Sequence, residues 1–429
     1  MKFFITSALL ILFISSISFF TSAPNIPSNF QKGISFKGWD SNNIYNTSIS
    51  DFSISELSKT GANYVALTSS WFQNDTNSTH IYTDRNKTPS DLSMIHAINK
   101  IHSLGMKVML KPHLRLQNHE WCAYIHFNKE EKWEMWFEEY KEFISHCARM
   151  AEENGVEEFC IGVELRGSIE RNEWKDVIKV VRKNYSGSIV YAANWDSYKN
   201  IKWWNMLDFI GIDAYFPLIN KKEPSIKELV EGWRKWHDEI KDFSEEIGKK
   251  VIFTEIGYCS QDGTNMEPGN PEISNKIDLQ EQADCYNATF MTFWNEKFMR
   301  GIFWWEWYAD GKGGEEDKYY TPHKKPAEDV IKFYYNPKIT IIKPVKGVYI
   351  LDKKIYSYNE VLIIGGITIE VGVNFECNEV EFYVDNELKY VDTMPPYRWK
   401  WNEFAFGKHE IKISSDSAYD EKLIYIFNL

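Results

Sequence analysis

Between residues 33 and 307 eight short extended apolar segments are separated by seven stretches of helical periodicity or irregular chain. The extended segments are Gly33–Trp39, Tyr64–Trp71, Lys107–His113, Glu158–Glu164, Ser188–Trp195, Asp208–Tyr215, Lys250–Tyr258 and Gly301–Trp307. Between them, a Ser90 cap opens one helix that Gly105 closes, Glu131 to Asn154 forms a long amphipathic one, and Trp174–Asn184, Ile226–Ile247 and Leu279–Phe298 give others. Strands alternating with helices argue for a parallel sheet covered on both faces, and eight of them argue for a closed (β/α)8 TIM barrel of the α/β class. An open doubly wound sheet is the alternative, but no Gly-rich phosphate loop follows the first strand. The barrel is expected over residues 32–336.

After Tyr335-Asn336-Pro337 the texture changes. Residues 338–429 hold strand-like runs at Lys338–Ile342, Gly366–Phe375, Val380–Val384, Leu388–Thr393, His409–Ser414 and Leu423–Phe427, with turns expected at Asp385-Asn386 and Gly407-Lys408. This spacing predicts a small all-β sandwich that folds by itself. Tyr397, Trp399 and Trp401 alternate, so they share one face; exposed, it would be a sugar-binding surface, and buried, the sandwich core.

At the N-terminus, Met1-Lys2 precedes an apolar run from Phe3 to Phe20 and a small-residue stretch ending at Ala23, the pattern of a secretory signal peptide over residues 1–23. The run is just long enough to span a bilayer, so an uncleaved anchor is the alternative. The mature protein is therefore expected outside the cell or tethered at its surface, as a monomer. A net charge of −12 argues against nucleic acid and anionic membrane as partners. Aromatics reach 16%, which suits either a large core or a surface that stacks on sugar rings. The six cysteines form no C-x-x-C and the histidines lack metal-ligand spacing, so neither a metal nor a cofactor is expected. An oxidising exterior permits disulfides, but the spacing assigns none, and buried free thiols fit as well.

In such barrels chemistry sits at the C-terminal strand ends. The fourth strand ends Gly162-Val163-Glu164, where Glu164 shares parity with Gly162. The seventh ends Phe253-Thr254-Glu255, after an apolar run. A glutamate ending a buried strand is costly unless it faces a polar cavity. Two of them, on the fourth and seventh strands, meet across a barrel mouth, and paired carboxylates are what glycoside hydrolysis needs. Other strand ends add Lys111 and His113 as donors to sugar hydroxyls, Asn194 with Trp195, and Asp213 with Tyr215, whose hydroxyl could hold a nucleophilic carboxylate. Trp39, Trp71, Trp305 and Trp307 are candidate sugar platforms, against core packing as the plain alternative.

The motifs LKPH (Leu110–His113), IGVEL (Ile161–Leu165), YAANW (Tyr191–Trp195), FIGIDAYFPL (Phe209–Leu218), FTEIGY (Phe253–Tyr258), GIFWWEWY (Gly301–Tyr308) and YTPHKKPA (Tyr320–Ala327) resemble glycoside hydrolase family 113, which holds TIM-barrel β-mannanases of clan A. The resemblance implies Glu164 as acid/base, Glu255 as nucleophile, retention of anomeric configuration and a β-mannan polysaccharide or oligosaccharide as substrate. Most members of the clan carry Asn just before the acid/base, where it binds the sugar 2-hydroxyl; here that place holds Val163, so Asn194 or His113 takes the contact or it is lost. The C-terminal region resembles the Ig-like modules appended to secreted microbial proteins. Another clan A β-glycosidase, a β-glucanase or β-mannosidase, keeps the mechanism with a different substrate. A non-catalytic surface polysaccharide-binding protein fits the signal and the tail but not the paired glutamates.

Overall fold

The computed structural model describes residues 29–39, 41–336, 338–373, 377–415 and 418–429. The expected signal segment, 1–23, lies outside them. The described chain divides into one unit running Asn29–Asn336 and a second carrying the residues from 338 onward.

In the first unit eight strands close into a parallel barrel in sequence order. They are β1 (Gln31–Lys37), β2 (Tyr64–Gln73), β3 (Lys107–Leu116), β4 (Glu158–Val163), β5 (Ser188–Asn194), β6 (Ile210–Asp213), β7 (Val251–Ile256) and β8 (Met299–Tyr308). Its interior is filled by Tyr64, Ala66, Met109, Cys160, Val163, Val190, Ala192, Ile252 and Phe303. Around it lie α1 (Ser48–Ser58), α2 (Asp91–Ser103), α3 (Glu130–Glu153), α4 (Trp174–Asn184), α5 (Ile226–Ile247), α6 (Leu279–Phe293) and α7 (Pro326–Tyr335). The helix α3 buries Trp133, Trp136, Phe137, Tyr140, Phe143, Ile144, Cys147 and Ala151, the i, i+3, i+4, i+7 stripe that makes a helix choose one face. Each such large side chain contributes about 1.5–3 kcal/mol on burial. A capping box at Ser225 and Glu228 starts α5, and Gly248, at φ 72°, ends it. After β5 two single 3₁₀ turns, Tyr198–Asn200 and Trp204–Met206, take the place of an α-helix.

Strand registers slip near the top of the barrel, and three of these slips bear on the site. On β4 the pairing with β5 shifts between Cys160 and Val163. On β7 the pairing with β6 jumps from Phe253 to Glu255. On β8 the pairing with β1 jumps from Trp304 to Trp307. Each slip is a bulge or a similar irregularity, which re-aims the side chains beyond it. All three lie where the carboxylates and indoles of the candidate site begin.

The second unit is all-β. A seven-stranded sheet has the order β11 (Lys353–Tyr356), β10 (Gly347–Ile350), β12 (Val361–Ile364), β18 (Ala418–Asn428), β17 (Ala405–Ser415), β14 (Val380–Val384) and β15 (Glu387–Asp392). A three-stranded sheet has the order β16 (Arg398–Trp401), β13 (Ile367–Val373) and β9 (Ile339–Lys343). Tyr397, Trp399 and Trp401 are buried with Phe382, Ile411 and Ile426 in its single core, so the alternating aromatics are structural. The Asp385-Asn386 turn forms, both residues having φ of 50° and 67° as a tight hairpin turn requires. Gly407-Lys408 is not a turn: both lie inside β17, paired with Ile426 and Tyr425 of β18. All six cysteines are free thiols. No helix among the described residues is long and apolar enough to cross a membrane.

Candidate active site

An open cavity of about 800 Å³ sits at the C-terminal ends of the barrel strands, and both Glu164 and Glu255 line it. The floor beneath them is a buried ionic cluster. From β3, Lys111 sends its Nζ to Glu255 Oε1 at 2.6 Å, to the Thr254 carbonyl at 3.1 Å and to Asp213 Oδ1 at 3.3 Å. Thr254 Oγ1 donates to the same Asp213 oxygen at 2.8 Å. Lys111 is wholly buried, so it does not reach for sugar hydroxyls as its place on the strand suggested; it meets the carboxylates instead. Asp213 is likewise at 0% exposure and absent from the cavity wall. Burial disfavours the lysine ammonium, but the charges of Asp213 and Glu255 outweigh that and raise its pKa. Burial and the Glu255 charge push Asp213 upward.

Tyr215, just past β6, donates its hydroxyl to Glu255 Oε2 at 2.7 Å. Each oxygen of Glu255 therefore has one strong donor. Glu164 is set differently. It follows the last residue of β4 and has φ 54°, the left-handed region. Parity with Gly162 is not what aims it. The β4 bulge turns Gly162 toward the helical layer, where a Cβ would lie 2.8 Å from the Tyr191 ring and 2.9 Å from the Tyr140 hydroxyl. Val163 faces the barrel interior, and the left-handed turn then brings Glu164 over the cavity. Its Oε1 accepts from Asn194 Nδ2 at 2.9 Å and its Oε2 from Trp121 Nε1 at 2.7 Å. Burial, then the charges of Asp213 and Glu255, hold its carboxyl well above the usual range.

The walls are aromatic. Trp39, Trp195, Trp305, Tyr215 and Tyr320 line the cavity. The rings of Trp39 and Trp305 are 5.7 Å apart, and His113 sits 5.4 Å from the first and 5.9 Å from the second. His113 Nε2 and Trp39 Nε1 are buried without a hydrogen-bond partner among the described residues. Burial, with Lys111, Arg115 and Lys37 nearby, keeps the imidazole pKa well below its ordinary value, so it is neutral.

Two expected platforms lie elsewhere. Trp71 points outward and packs on Phe143 and His146 of α3, at 5.1 and 5.6 Å between ring centroids. Trp307 is fully buried, donates to Ser53 of α1 at 3.0 Å and packs on His323 at 4.3 Å. On β2, the even-numbered Ala66 belongs to the barrel interior, so the odd-numbered Trp71 faces the helices. On β8 the bulge reverses the parity after Trp305.

Trp121, Lys37 and Glu306 are site residues that strand-end inspection misses. Trp121 belongs to the loop after β3, where no periodicity marks it. Lys37, at the end of β1, pairs with Glu306 Oε2 at 2.5 Å, and both line the cavity. Glu306 carries the signal that singled out Glu255, a carboxylate within a buried strand, but its flanking tryptophans draw the eye first.

A closed parallel barrel with two glutamates over one cavity, indoles on its wall and unpartnered polar nitrogens between them is the architecture of a glycoside hydrolase of clan A. The chain belongs to glycoside hydrolase family 113, whose model matches residues 34–325. It is similar to two solved β-1,4-mannanase structures of that family, at 30% and 29% identity, each covering 72% of this chain and 99% of the other, with TM-scores of 0.66 and 0.67. It is similar also to the β-mannanase AaManA from Alicyclobacillus acidocaldarius in complex with ManMIm, at 27% identity over 72% of this chain and 97% of that one, with a TM-score of 0.66. No curated protein matches the chain.

Proposed function

We propose that the protein is a secreted, retaining endo-β-1,4-mannanase with Glu255 as nucleophile and Glu164 as acid/base. One observation carries this: the two glutamates share a cavity but stand in opposite surroundings. Glu255 is paired with an ammonium and a phenol hydroxyl. Glu164 lies among acidic neighbours that, with burial, favour its protonated form. A carboxylate beside a carboxyl that keeps its proton is the pair that double displacement uses.

The steps follow from that placement. Glu255 attacks the anomeric carbon, the bond to the leaving oxygen breaks, and the Glu164 proton passes to that oxygen. Glu164, now a carboxylate, takes a proton from water. The water oxygen attacks the anomeric carbon and Glu255 is released. Loss of the Glu255 charge in the first step removes one reason for the raised Glu164 pKa, so the acid becomes easier to deprotonate as it acts.

Sugar binding is supported by the cavity wall. Buried polar atoms are rarely left without partners, and sugar hydroxyls would satisfy His113 Nε2 and Trp39 Nε1. Asn194 gives one amide N–H to Glu164, and its second N–H and the unpartnered His113 Nε2 are the groups that can take the hydroxyl contact Val163 cannot make. Trp305 and Trp195 offer ring surface to pyranose C–H faces. Mannan as the polymer is supported by the β-mannanases that this chain is similar to. Secretion is supported by the Met1–Ala23 pattern, and an Ig-like module by the two sheets sharing one aromatic core.

The test is hydrolysis of mannohexaose followed by proton NMR. The β-anomer is expected first; the α-anomer first overturns retention, and cleavage of cellohexaose alone overturns mannan. Glu164→Ala and Glu255→Ala, each folded by circular dichroism, are expected to lose roughly a thousandfold or more in kcat. Full activity in either rejects its role.

A further inference from the structure

The loop between β3 and α3 is fastened against the residues that follow Glu164. Cys122 Sγ lies 3.8 Å from the Val163 carbonyl and 4.0 Å from that of Glu164. A Cβ on Gly167 would lie 2.1 Å from the Ile125 carbonyl, so only glycine lets the two segments approach this closely. The 3₁₀ turn Cys122–Tyr124 is thus seated on the acid/base segment, and it carries Trp121 at its start. Trp121 is held in turn. The Arg166 guanidinium sits 5.5 Å from its ring and is itself paired with Asp196 at 2.8 Å, while Tyr124 meets the ring edge-on at 5.5 Å. The indole still lines the cavity and is 39% exposed. A large aromatic side chain this exposed, braced by Arg166 and Tyr124 and hydrogen-bonded at 2.7 Å to the half-buried Glu164 carboxylate, is a built feature.

We propose that Trp121 is a positioning residue for the acid/base: its N–H holds Glu164 Oε2 in the carboxylate state, yields that oxygen to the glycosidic oxygen when the glutamate is protonated, and its ring is the platform for the leaving-group sugar. The chemistry requires such an exchange. An indole N–H only donates, and so does the Asn194 amide NH2. These two donors favour the charged form of Glu164, against the burial and acidic neighbours that favour the protonated one. To act as an acid it carries a proton on one oxygen and aims it at the leaving oxygen. Oε2 faces the exposed indole, whereas Oε1 faces the nearly buried Asn194, so Oε2 is the oxygen with room to be approached. A sugar that brings its glycosidic oxygen there must lie against the Trp121 ring. After proton transfer the N–H again has a carboxylate to hold, which favours departure of the leaving group.

The other groups facing Glu164 are Lys111 from β3, Asp213 from β6, Glu255 from β7 and the Cys122 thiol. None of these changes when Trp121 is replaced, so a shift in the titration of Glu164 isolates the indole. This inference rests on the acid/base role of Glu164. The experiment is the pH profile of kcat/KM for Trp121→Phe and Trp121→Ala on mannohexaose and on 2,4-dinitrophenyl β-mannobioside, whose leaving group needs no proton. Phe keeps the platform and removes the donor, so the alkaline limb on mannohexaose is expected to move up by about one pH unit. KM should stay within about twofold for Phe and rise roughly tenfold for Ala. On the dinitrophenyl substrate, kcat/KM of Trp121→Phe is expected to lack that alkaline shift, because its leaving group takes no proton from Glu164. An unchanged alkaline limb in folded Trp121→Phe overturns the proposal, as does an equal KM rise in both variants. If Glu164→Ala also cleaves mannohexaose normally, the acid/base assignment has failed rather than the role of Trp121.

Discussion

Lys111 is the residue on which the site chemistry turns, although it touches no solvent. One ammonium sits between two carboxylates, and each part of the cluster is tolerable underground only because the others are present. Lys111→Met leaves Asp213 and Glu255 without their counter-charge. It is expected to destabilise the barrel by about 3 kcal/mol in urea unfolding and to abolish hydrolysis. An unchanged unfolding midpoint would show that the two carboxylates do not depend on the lysine. Lys111, Asp213, Tyr215 and Glu255 are all legible in the sequence as strand-end polar groups, because a charged group ending an apolar strand needs a special destination. That Lys111 serves the carboxylates and not the sugar is not legible. The difference lies in depth along the barrel axis, which period-two alternation does not encode.

At the scale of elements, β4, β7 and β8 owe their function to bulges. Alternation assigned Glu164 to the Gly162 face and Trp307 to the mouth, and both assignments fail where the register slips. A bulge leaves little trace in a single sequence, because the extra residue can be of almost any type. Gly162 is a partial exception, since its missing Cβ makes room for Tyr140, Trp174 and Tyr191 behind the strand. Gly162→Ala pushes the end of β4 against three large buried rings. It is expected to destabilise by about 1–3 kcal/mol and to lower kcat, since Glu164 is two residues on. Thermal unfolding and activity measured on the same preparation check this; a neutral effect on both would mean that the rings have slack.

At the scale of the whole molecule, each unit has its own core. Trp399 and Trp401 stack 5.9 Å apart within the β-sheet unit, and the members of that core all come from residues 339–426. Trp399→Ala is expected to cost about 3–5 kcal/mol there. In calorimetry it should lower one transition and leave hydrolysis of mannohexaose unchanged; a loss of activity in parallel would show that the units do not unfold separately. The change of texture at residue 337 announced this division, because a chain without helical periodicity has only sheets with which to bury its apolar residues. The amino-acid order by itself determined the eight-strand barrel, the all-β tail and the two glutamates, since apolar periodicity and the penalty on a buried charge are local facts. Only the folded molecule decided which way Trp71 and Trp307 face, what Lys111 pairs with, and that Trp121 reaches Glu164 from 43 residues away. Those outcomes depend on register, depth and loop contact, which arise when distant segments pack together.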